Sequence, residues 1–482
     1  MTYFLDPFGC VKNQVDAENM MAFLDREGWA SAENAENAEL IIINSCGFIE
    51  SAKQESIDAV LGWRKLFPEK KILLAGCLAQ RYAKELAEAL PEADGFFGTD
   101  DPAGIVRAAE KAMAAPGAVK RKAAKKALAG LPGTEPGLRP LLSLPGSAYV
   151  KISEGCNNRC SFCAIPLIRG GLKSRNIQDI ARECKTLLGR GIKELCLIGQ
   201  DTGSYGLDMP AGAEAAYKSA ANSPAGLYGL LETLSRLKGN FRVRLLYIHP
   251  DHFPLPILDI MEKDQRILPY FDIPFQHASE KILKAMNRRG NAESYLALID
   301  TIRRKLPDAV IRSTFLTGFP GETAEDFELL LDFQKKARLD WLGCFAYSRE
   351  ENTPAYSMKG RVAKKTAKDR KRLIEEKQIP ITEKQMDRFA GRTFDVLVEE
   401  KFEPKNSGEG AEEESAIYLG RLPCQAPEVD GASVIIPVIT PLSTPAITGV
   451  SAGTKPLELG ALVPCRVIAR RGIDLEVQPV KP

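Results

Sequence analysis

The densest chemistry in the chain is Cys156-Asn-Asn-Arg-Cys160-Ser-Phe-Cys163, three thiols within eight residues. Gaps of three and then two residues let one loop wrap three thiolates around a compact site. A tetrahedral structural zinc takes four ligands, often as paired C-x2-C units, and no fourth Cys or His follows nearby. A cubane iron–sulfur cluster also sits on closely spaced cysteines, and one short of a fourth protein ligand keeps an iron open to substrate. The pattern favours the cluster over a zinc or redox-structural site.

A second set of thiols is dispersed. Cys10 stands in Phe8-Gly-Cys-Val-Lys-Asn13, Cys46 in Asn44-Ser-Cys-Gly47, and Cys77 in Ala75-Gly-Cys-Leu78. Taken singly, each is more often a buried packing thiol. Two of them, however, directly follow predicted buried strands at 40–44 and 71–75, and Cys10 follows a short apolar opening segment. The carboxyl ends of strands in a parallel sheet share one edge, so three such thiols can converge there on a second cluster. The other five, Cys184, Cys196, Cys344, Cys424 and Cys465, have no partners in the pattern and read as packing residues.

Other polar groups gain meaning only by position. Leu197-Ile-Gly-Gln200-Asp201-Thr202 ends a strand in groups that suit an amine, a carboxylate or a ribose. Thr317-Gly318-Phe-Pro-Gly321-Glu322 is a Gly-rich turn after a strand, suited to a backbone contact with adenine or sugar, although a strand ending in Gly before a capping Thr323 is also ordinary structure. Phe162 precedes the last cysteine of the loop. The only histidines are His249, His252 and His277, and none is assigned as a general base.

These groups need a frame. A chain of 482 residues exceeds one hydrophobic core. Residues 1–113 alternate apolar strands with helical stretches at 17–26 and 51–61, as in an α/β layer with a parallel sheet. Residues 114–145 are rich in Ala, Gly, Pro and Lys and read as a flexible linker. Its basic cluster at 120–126 is better explained as a solvated surface than as an RNA contact. Residues 146–385 repeat strand and helix: strands at 148–152, 194–199, 242–248, 270–274, 309–316 and 341–347, with helices at 279–289 and 323–339 among them. Six such units predict a full or partial barrel with functional groups where strands end. Residues 209–226 interrupt it as a surface insertion. A charged helix over 364–388 leads to a tail, 386–482, whose five short Val/Ile runs, at 393–398, 416–419, 433–438, 461–468 and 473–477, read as a small β-barrel. The expected class is α/β with a small β-barrel at the C-terminus.

Composition narrows the setting. Eleven cysteines are too few for a disulfide-dense scaffold, and the start carries no basic-then-apolar leader. The longest uncharged run, 431–454, holds Pro437, Pro441 and Pro445, which disfavour a membrane helix. A cytoplasmic, reducing compartment and no membrane contact are therefore expected. The net charge is +2, yet from position 391 onward nine basic residues face thirteen acidic ones.

On these residues the chain resembles the radical S-adenosylmethionine methylthiotransferases, and the resemblance covers nearly its whole length. C-x3-C-x2-C is that superfamily's signature, with an aromatic residue before the last cysteine. The family joins an N-terminal domain holding an auxiliary cluster on three cysteines, a radical barrel and a C-terminal TRAM β-barrel. The resemblance implies two 4Fe-4S clusters, one on Cys156, Cys160 and Cys163 and one on Cys10, Cys46 and Cys77, with S-adenosylmethionine as cofactor. Contacts to that cofactor are expected from Phe162, Gln200, Asp201, Thr317, Gly318 and Gly321.

Of two branches, one modifies a tRNA adenosine and the other the β-carbon of an aspartate in small-subunit ribosomal protein twelve. Asn44-Ser-Cys-Gly-Phe-Ile-Glu-Ser-Ala-Lys53, Ile152-Ser-Glu-Gly-Cys156, Ala164-Ile-Pro-Leu-Ile-Arg-Gly170, Gln200-Asp-Thr202 and Ala426-Pro-Glu-Val-Asp-Gly431 resemble the second branch. An acidic tail agrees with it, because the ribosomal protein is basic and a tRNA-binding barrel should itself be basic. RNA contact is thus not favoured, and a reductant such as flavodoxin or ferredoxin is implied. A non-catalytic iron–sulfur redox scaffold is the alternative from another class. The insertion at 209–226 and the proline-rich stretch at 437–445 depart from the family pattern without touching the six cysteines.

Overall fold

The computed structural model describes residues 1–114, 138–209, 226–402, 416–436 and 456–480. Residues 210–225 and 437–445, the basic cluster at 120–126, and Glu412, Glu413 and Glu414 lie outside them.

The first domain is built on a fully parallel sheet of β1 (Thr2–Pro7), β2 (Ala30–Ser31), β3 (Leu40–Ser45), β4 (Lys71–Gly76) and β5 (Gly95–Phe97), in the order β2-β1-β3-β4-β5. Around it pack α1 (Val11–Arg26), α2 (Glu50–Leu66), α3 (Cys77–Ala89) and α4 (Ile105–Met113). All six residues of β3 are buried because the sheet is covered on both faces. Leu40 and Ile42 pack with α1 and α4, while Ile41 and Ile43 face α2 and α3. Each such side chain contributes about 1.5–3 kcal/mol on burial, so the continuous apolar run that marks β3 also anchors the domain.

In the middle domain β6 (Ser147–Lys151) leads into a small ribbon, β7 (Ser153–Glu154) with β8 (Lys173–Ser174), that brackets the three-cysteine loop. Then follow β9 (Glu194–Ile198), β10 (Arg242–Leu245), β11 (Ile267–Asp272), β12 (Val310–Thr317) and β13 (Trp341–Ala346). With β6 they form an open six-stranded parallel sheet, β13-β12-β11-β10-β9-β6, a partial barrel with each expected strand in place. Alternate residues point outward under the helices, among them Val150, Leu197, Leu245 and Ile311. The opposite set, including Tyr149, Cys196, Tyr270 and Trp341, lines the concave face and meets Val15 of α1 together with Leu422, Cys424 and Ala426 of the tail. Both ends of the chain therefore fill the barrel.

The long helix Lys364–Met386 leads to a closed barrel of β14 (Thr393–Phe402), β15 (Ile417–Arg421), β16 (Ser433–Ile435), β17 (Leu462–Arg471) and β18 (Asp474–Pro479), ordered β14-β15-β16-β18-β17. Its seam with the middle domain is ionic and dry. Glu194, fully buried, accepts from Arg242, from Arg244 (3.0 Å) and from Arg421 (2.8 Å), and Arg421 also pairs with Glu399 at 2.8 Å. Asp430 accepts from the Tyr270 hydroxyl (2.6 Å) and the Ala426 N–H (2.7 Å). Removing one member of such a network costs about 3–5 kcal/mol, because its partner is left charged and buried.

One expectation needs correction. The linker read as ending at 145 is not solvated to its end: Arg139 is 3% exposed and donates to Glu18 (2.7 Å), to Glu183 and to the Tyr149 carbonyl (2.5 Å). Its guanidinium ties α1 to the helix Ile177–Gly189, so residue 139 belongs with the packed domains.

Candidate functional site

Register builds the dispersed triad. Pro7 pairs with Asn44, and Ser45 with Gly76, so the chain leaves β1, β3 and β4 along one edge, where Cys10, Cys46 and Cys77 follow. Gly76 takes φ +94°, and a Cβ there would lie 2.6 Å from both Asn44 Oδ1 and the Ser45 carbonyl, so only glycine lets β4 turn directly into α3. Cys10 caps α1 and Cys77 begins α3, which sets two thiols at the positive ends of helices, where a thiolate is favoured. Asn13 sits at the centre: its Nδ2 donates to the Ser45 carbonyl (2.8 Å), and its Oδ1 lies 3.3 Å from Cys77 Sγ and 3.9 Å from Cys10 Sγ.

The local triad hangs from β7. Gly155, at φ +67°, starts the loop, and a Cβ there would stand 2.1 Å from the Gly171 carbonyl. The Cys156 N–H donates to the Gly170 carbonyl (3.1 Å), and the Ser161 N–H to that of Met286 (2.9 Å). Phe162 packs against the cluster of Ile282, Met286, Leu316, Phe319 and Ala355, to which the end of β12 and the turn after it contribute.

Arg169 connects the two triads. It closes the short helix α5 (Ile165–Arg169) that follows Cys163, and its Nη2 lies 3.2 Å from Cys77 Sγ, 2.7 Å from Asn13 Oδ1 and 2.8 Å from Asp16. Its Nη1 reaches Glu154 at 2.9 Å, while Lys151 pairs with both Asp16 and Glu154. Ala164 and Ile168 pack directly on Cys77. A second strap is Glu350: it binds Lys53 (2.9 Å) and Arg81 (2.7 Å), and Arg81 donates to the carbonyl of Gly47 beside Cys46 (3.0 Å).

The expected cofactor contacts divide. Asp201 is fully committed inside the protein, accepting from the Gly203 and His249 N–H groups (both 3.0 Å), from Ser204 (2.5 Å) and from Asn158 (2.8 Å). Asn158 in turn faces His252 Nε2 at 2.8 Å, so a chain of polar groups holds the loop between Cys156 and Cys160. The Gly318 and Phe319 N–H groups go to Glu322, the Gly321 N–H to the Gly360 carbonyl (2.8 Å), and the Thr317 hydroxyl to the Ala367 carbonyl (3.0 Å). Gln200 differs: its Oε1 is buried without a hydrogen-bond partner, as is Ser153 Oγ, which stands against Gly199. Two orphaned acceptors beside the cysteine loop fit a polar cofactor that would satisfy them.

Burial raises the thiols, Cys156 and Cys77 each to about 11 and Cys163 to about 12, so each exchanges its proton only for a strong Lewis acid. Burial, reinforced by Arg288, pushes His249 down to about 2; its Nδ1 accepts the Asp251 N–H (3.2 Å), and its Nε2 lies 3.8 Å from Cys160 Sγ. That ring is a neutral neighbour of the loop. Among the described residues no three Cys, His, Asp or Glu groups are placed to hold a single metal ion. A cubane puts each thiolate on a different iron, so its thiols stand further apart than the ligands of one ion.

Sequence reasoning missed Asn13, Ser153 and Arg169 as site residues. Asn13 belongs to a polar stripe, Asn13, Asp16 and Glu18, that α1 buries where an amphipathic helix would bury only apolar groups.

A partial parallel barrel with a three-cysteine loop just after its first strand defines the radical S-adenosylmethionine class, and residues 150–333 match the Radical SAM superfamily. Residues 2–98 match the uncharacterized protein family UPF0004. The chain is 46% identical, over 99% of its length and all of the relative's, to the ribosomal protein uS12 methylthiotransferase RimO of Treponema denticola. It is 39% identical to that of Carboxydothermus hydrogenoformans over 89% of this chain and 92% of that one. The chain belongs to the RimO family. Its fold is also similar to that of the radical S-adenosylmethionine methyltransferase TsrM of Kitasatospora setae, with a TM-score of 0.51 at 14% identity over 74% of this chain and 73% of that one.

Proposed function

We propose that this chain attaches a methylthio group to the β-carbon of an aspartate in ribosomal protein uS12, with S-adenosylmethionine and two 4Fe-4S clusters. One observation carries the reading: each cysteine triad follows strand ends of a parallel sheet, and Cys77 of one packs against α5, the helix that directly follows Cys163 of the other, with Arg169 Nη2 3.2 Å from its sulfur. When bound, the clusters and S-adenosylmethionine supply the radical chemistry that an unactivated C–H bond demands, since that proton is too weakly acidic for any side chain to take.

The protein's own part is placement. Cys156, Cys160 and Cys163 hold one cluster and Cys10, Cys46 and Cys77 the other. Gln200 and Ser153 offer their free acceptors to the cofactor's donors. Asp201 acts indirectly, keeping Asn158 in position, and Phe162 seals the loop against the turn at Thr317, Gly318 and Gly321. Arg169 and Glu350 tie the first domain to the barrel beside the two thiol sets and so fix their placement. A flavodoxin or ferredoxin serves as reductant, and the work is done in the cytoplasm; among the described residues no helix is long and apolar enough to cross a membrane.

Mass spectrometry of uS12 from cells with and without this gene tests the reading. An aspartate heavier by one methylthio group only when the gene is present is expected. A gene-dependent methylthio group on tRNA instead would overturn it, as would a reconstituted protein that binds iron but does not cleave S-adenosylmethionine.

A further inference from the structure

Lys12 is out of place. It lies in the first turn of α1, two residues after Cys10, is only 8% exposed, and carries its ammonium over the Tyr247 ring of the barrel. The charges that act on it are Cys10, Asp272, Arg169 and Glu154, drawn from the first domain and from three elements of the barrel.

Neither carboxylate near it is free to pair. Asp272 is bound to Arg312 at 3.0 Å, and Glu154 to Lys151 (2.7 Å) and Arg169 (2.9 Å). The contact made by the ammonium is to the face of Tyr247, with Nζ 2.9 Å from the ring centroid. A quadrupole attracts a cation but accepts none of its three N–H bonds as a carboxylate would. Buried charges in proteins are otherwise paired.

Tyr247 itself is strained into this position. It has φ +63°, a conformation that costs a bulky residue about 1–3 kcal/mol and that concentrates at functional sites. The Thr202 N–H pins it by donating to its carbonyl (2.9 Å).

We infer that Lys12, braced by Tyr247, is the counter-ion for the carboxylate of the acceptor aspartate, and so selects an anionic side chain over its neutral isostere. The inference rests on the reading above that an aspartate of uS12 is the acceptor. An anion gripped there would have its β-carbon beside the space that Arg169 spans, between the thiols of both triads. Lys12 thereby becomes a specificity residue rather than a group that takes part in bond making.

The test measures binding of purified uS12 to the iron-loaded protein by fluorescence anisotropy, with the natural protein and with a version whose acceptor aspartate is replaced by asparagine. A charge-assisted hydrogen bond of the usual strength predicts about a tenfold or greater preference for the aspartate form. Lys12→Gln should bind the aspartate form about tenfold more weakly and show no preference between the two, while Lys12→Arg, which keeps the charge, should restore part of it. Equal preference in the wild type and Lys12→Gln would overturn the assignment, and so would a wild type that does not distinguish the two forms; that comparison needs no variant to fold. The reading of the reaction fails separately, and takes this inference with it, if the wild type leaves uS12 unmodified.

Discussion

The two cysteine triads reach similar ends by opposite routes. Cys156, Cys160 and Cys163 share one loop, shaped by Gly155 and a few backbone hydrogen bonds. Cys10, Cys46 and Cys77 come from three strand ends, and converge only because β1, β3 and β4 are parallel and in register. A local motif survives as long as its loop does, whereas a dispersed one exists only when a whole domain is folded. The dispersed triad is accordingly embedded in the richer set of supports: Asn13 at its centre, α2 and α3 behind it, and Arg169 and Glu350 from the neighbouring domain.

Removing a ligand from either side should separate their roles most sharply. Cys160→Ala should abolish cleavage of S-adenosylmethionine to 5′-deoxyadenosine. Cys46→Ala should retain cleavage and lose methylthio transfer, with iron falling from about eight to about four per chain in either variant. Chromatography of the nucleoside and iron analysis check both, and equal loss of cleavage would mean the triads are not separate. Arg169→Ala should hurt both at once. It leaves Asp16 and Glu154 sharing Lys151, at a cost of about 1.5–3 kcal/mol in a denaturant titration. A Gly155→Ala change adds strain of about 1–3 kcal/mol plus the clash with the Gly171 carbonyl. Iron should then be lost from the local triad alone, to about four per chain.

The smallest effect lies away from both triads, at Asp430, whose carboxyl burial pushes up to about 6. A raised carboxyl contributes stability in full below its unfolded value, near 3.8, and loses it as pH rises through about 6. The unfolding temperature of the wild type relative to Asp430→Asn should therefore fall between pH 4.5 and 7. A difference that does not change with pH would remove Asp430 from the account of the seam.

The fold was open to reading wherever strands run apolar and continuous. The six barrel strands and the tail's five Val/Ile runs lie within a few residues of their expected places, because burial on one or both faces dictates those residues. The placement of Cys156, Cys160 and Cys163 on one loop was legible from spacing alone, and that of Cys10, Cys46 and Cys77 at strand ends from the strands before them. What composition hid was pairing. Counting charges made the tail acidic, yet Glu399 and Asp430 are buried against arginines and do not face a partner. Arg139 looked like part of a solvated linker because nothing in Leu138-Arg139-Pro140 shows that Glu18 and Glu183 await it. Gln200 and Asp201, adjacent in sequence, differ for the same reason: four hydrogen bonds commit Asp201, while the oxygen of its neighbour is left free.

The concave face of the barrel carries Glu194, Arg242, Arg244, Tyr270 and Arg312, whose partners include Arg421 and Asp430, far later in the chain. During synthesis from the N-terminus the sheet is complete once residue 346 has emerged, some eighty residues before those partners exist. Through that interval a half-barrel must wait with its interior charges only partly met, Glu194 shared by Arg242 and Arg244 and Asp272 facing Arg312, and a nascent chain paused or cut after the long helix should be a natural client for chaperones.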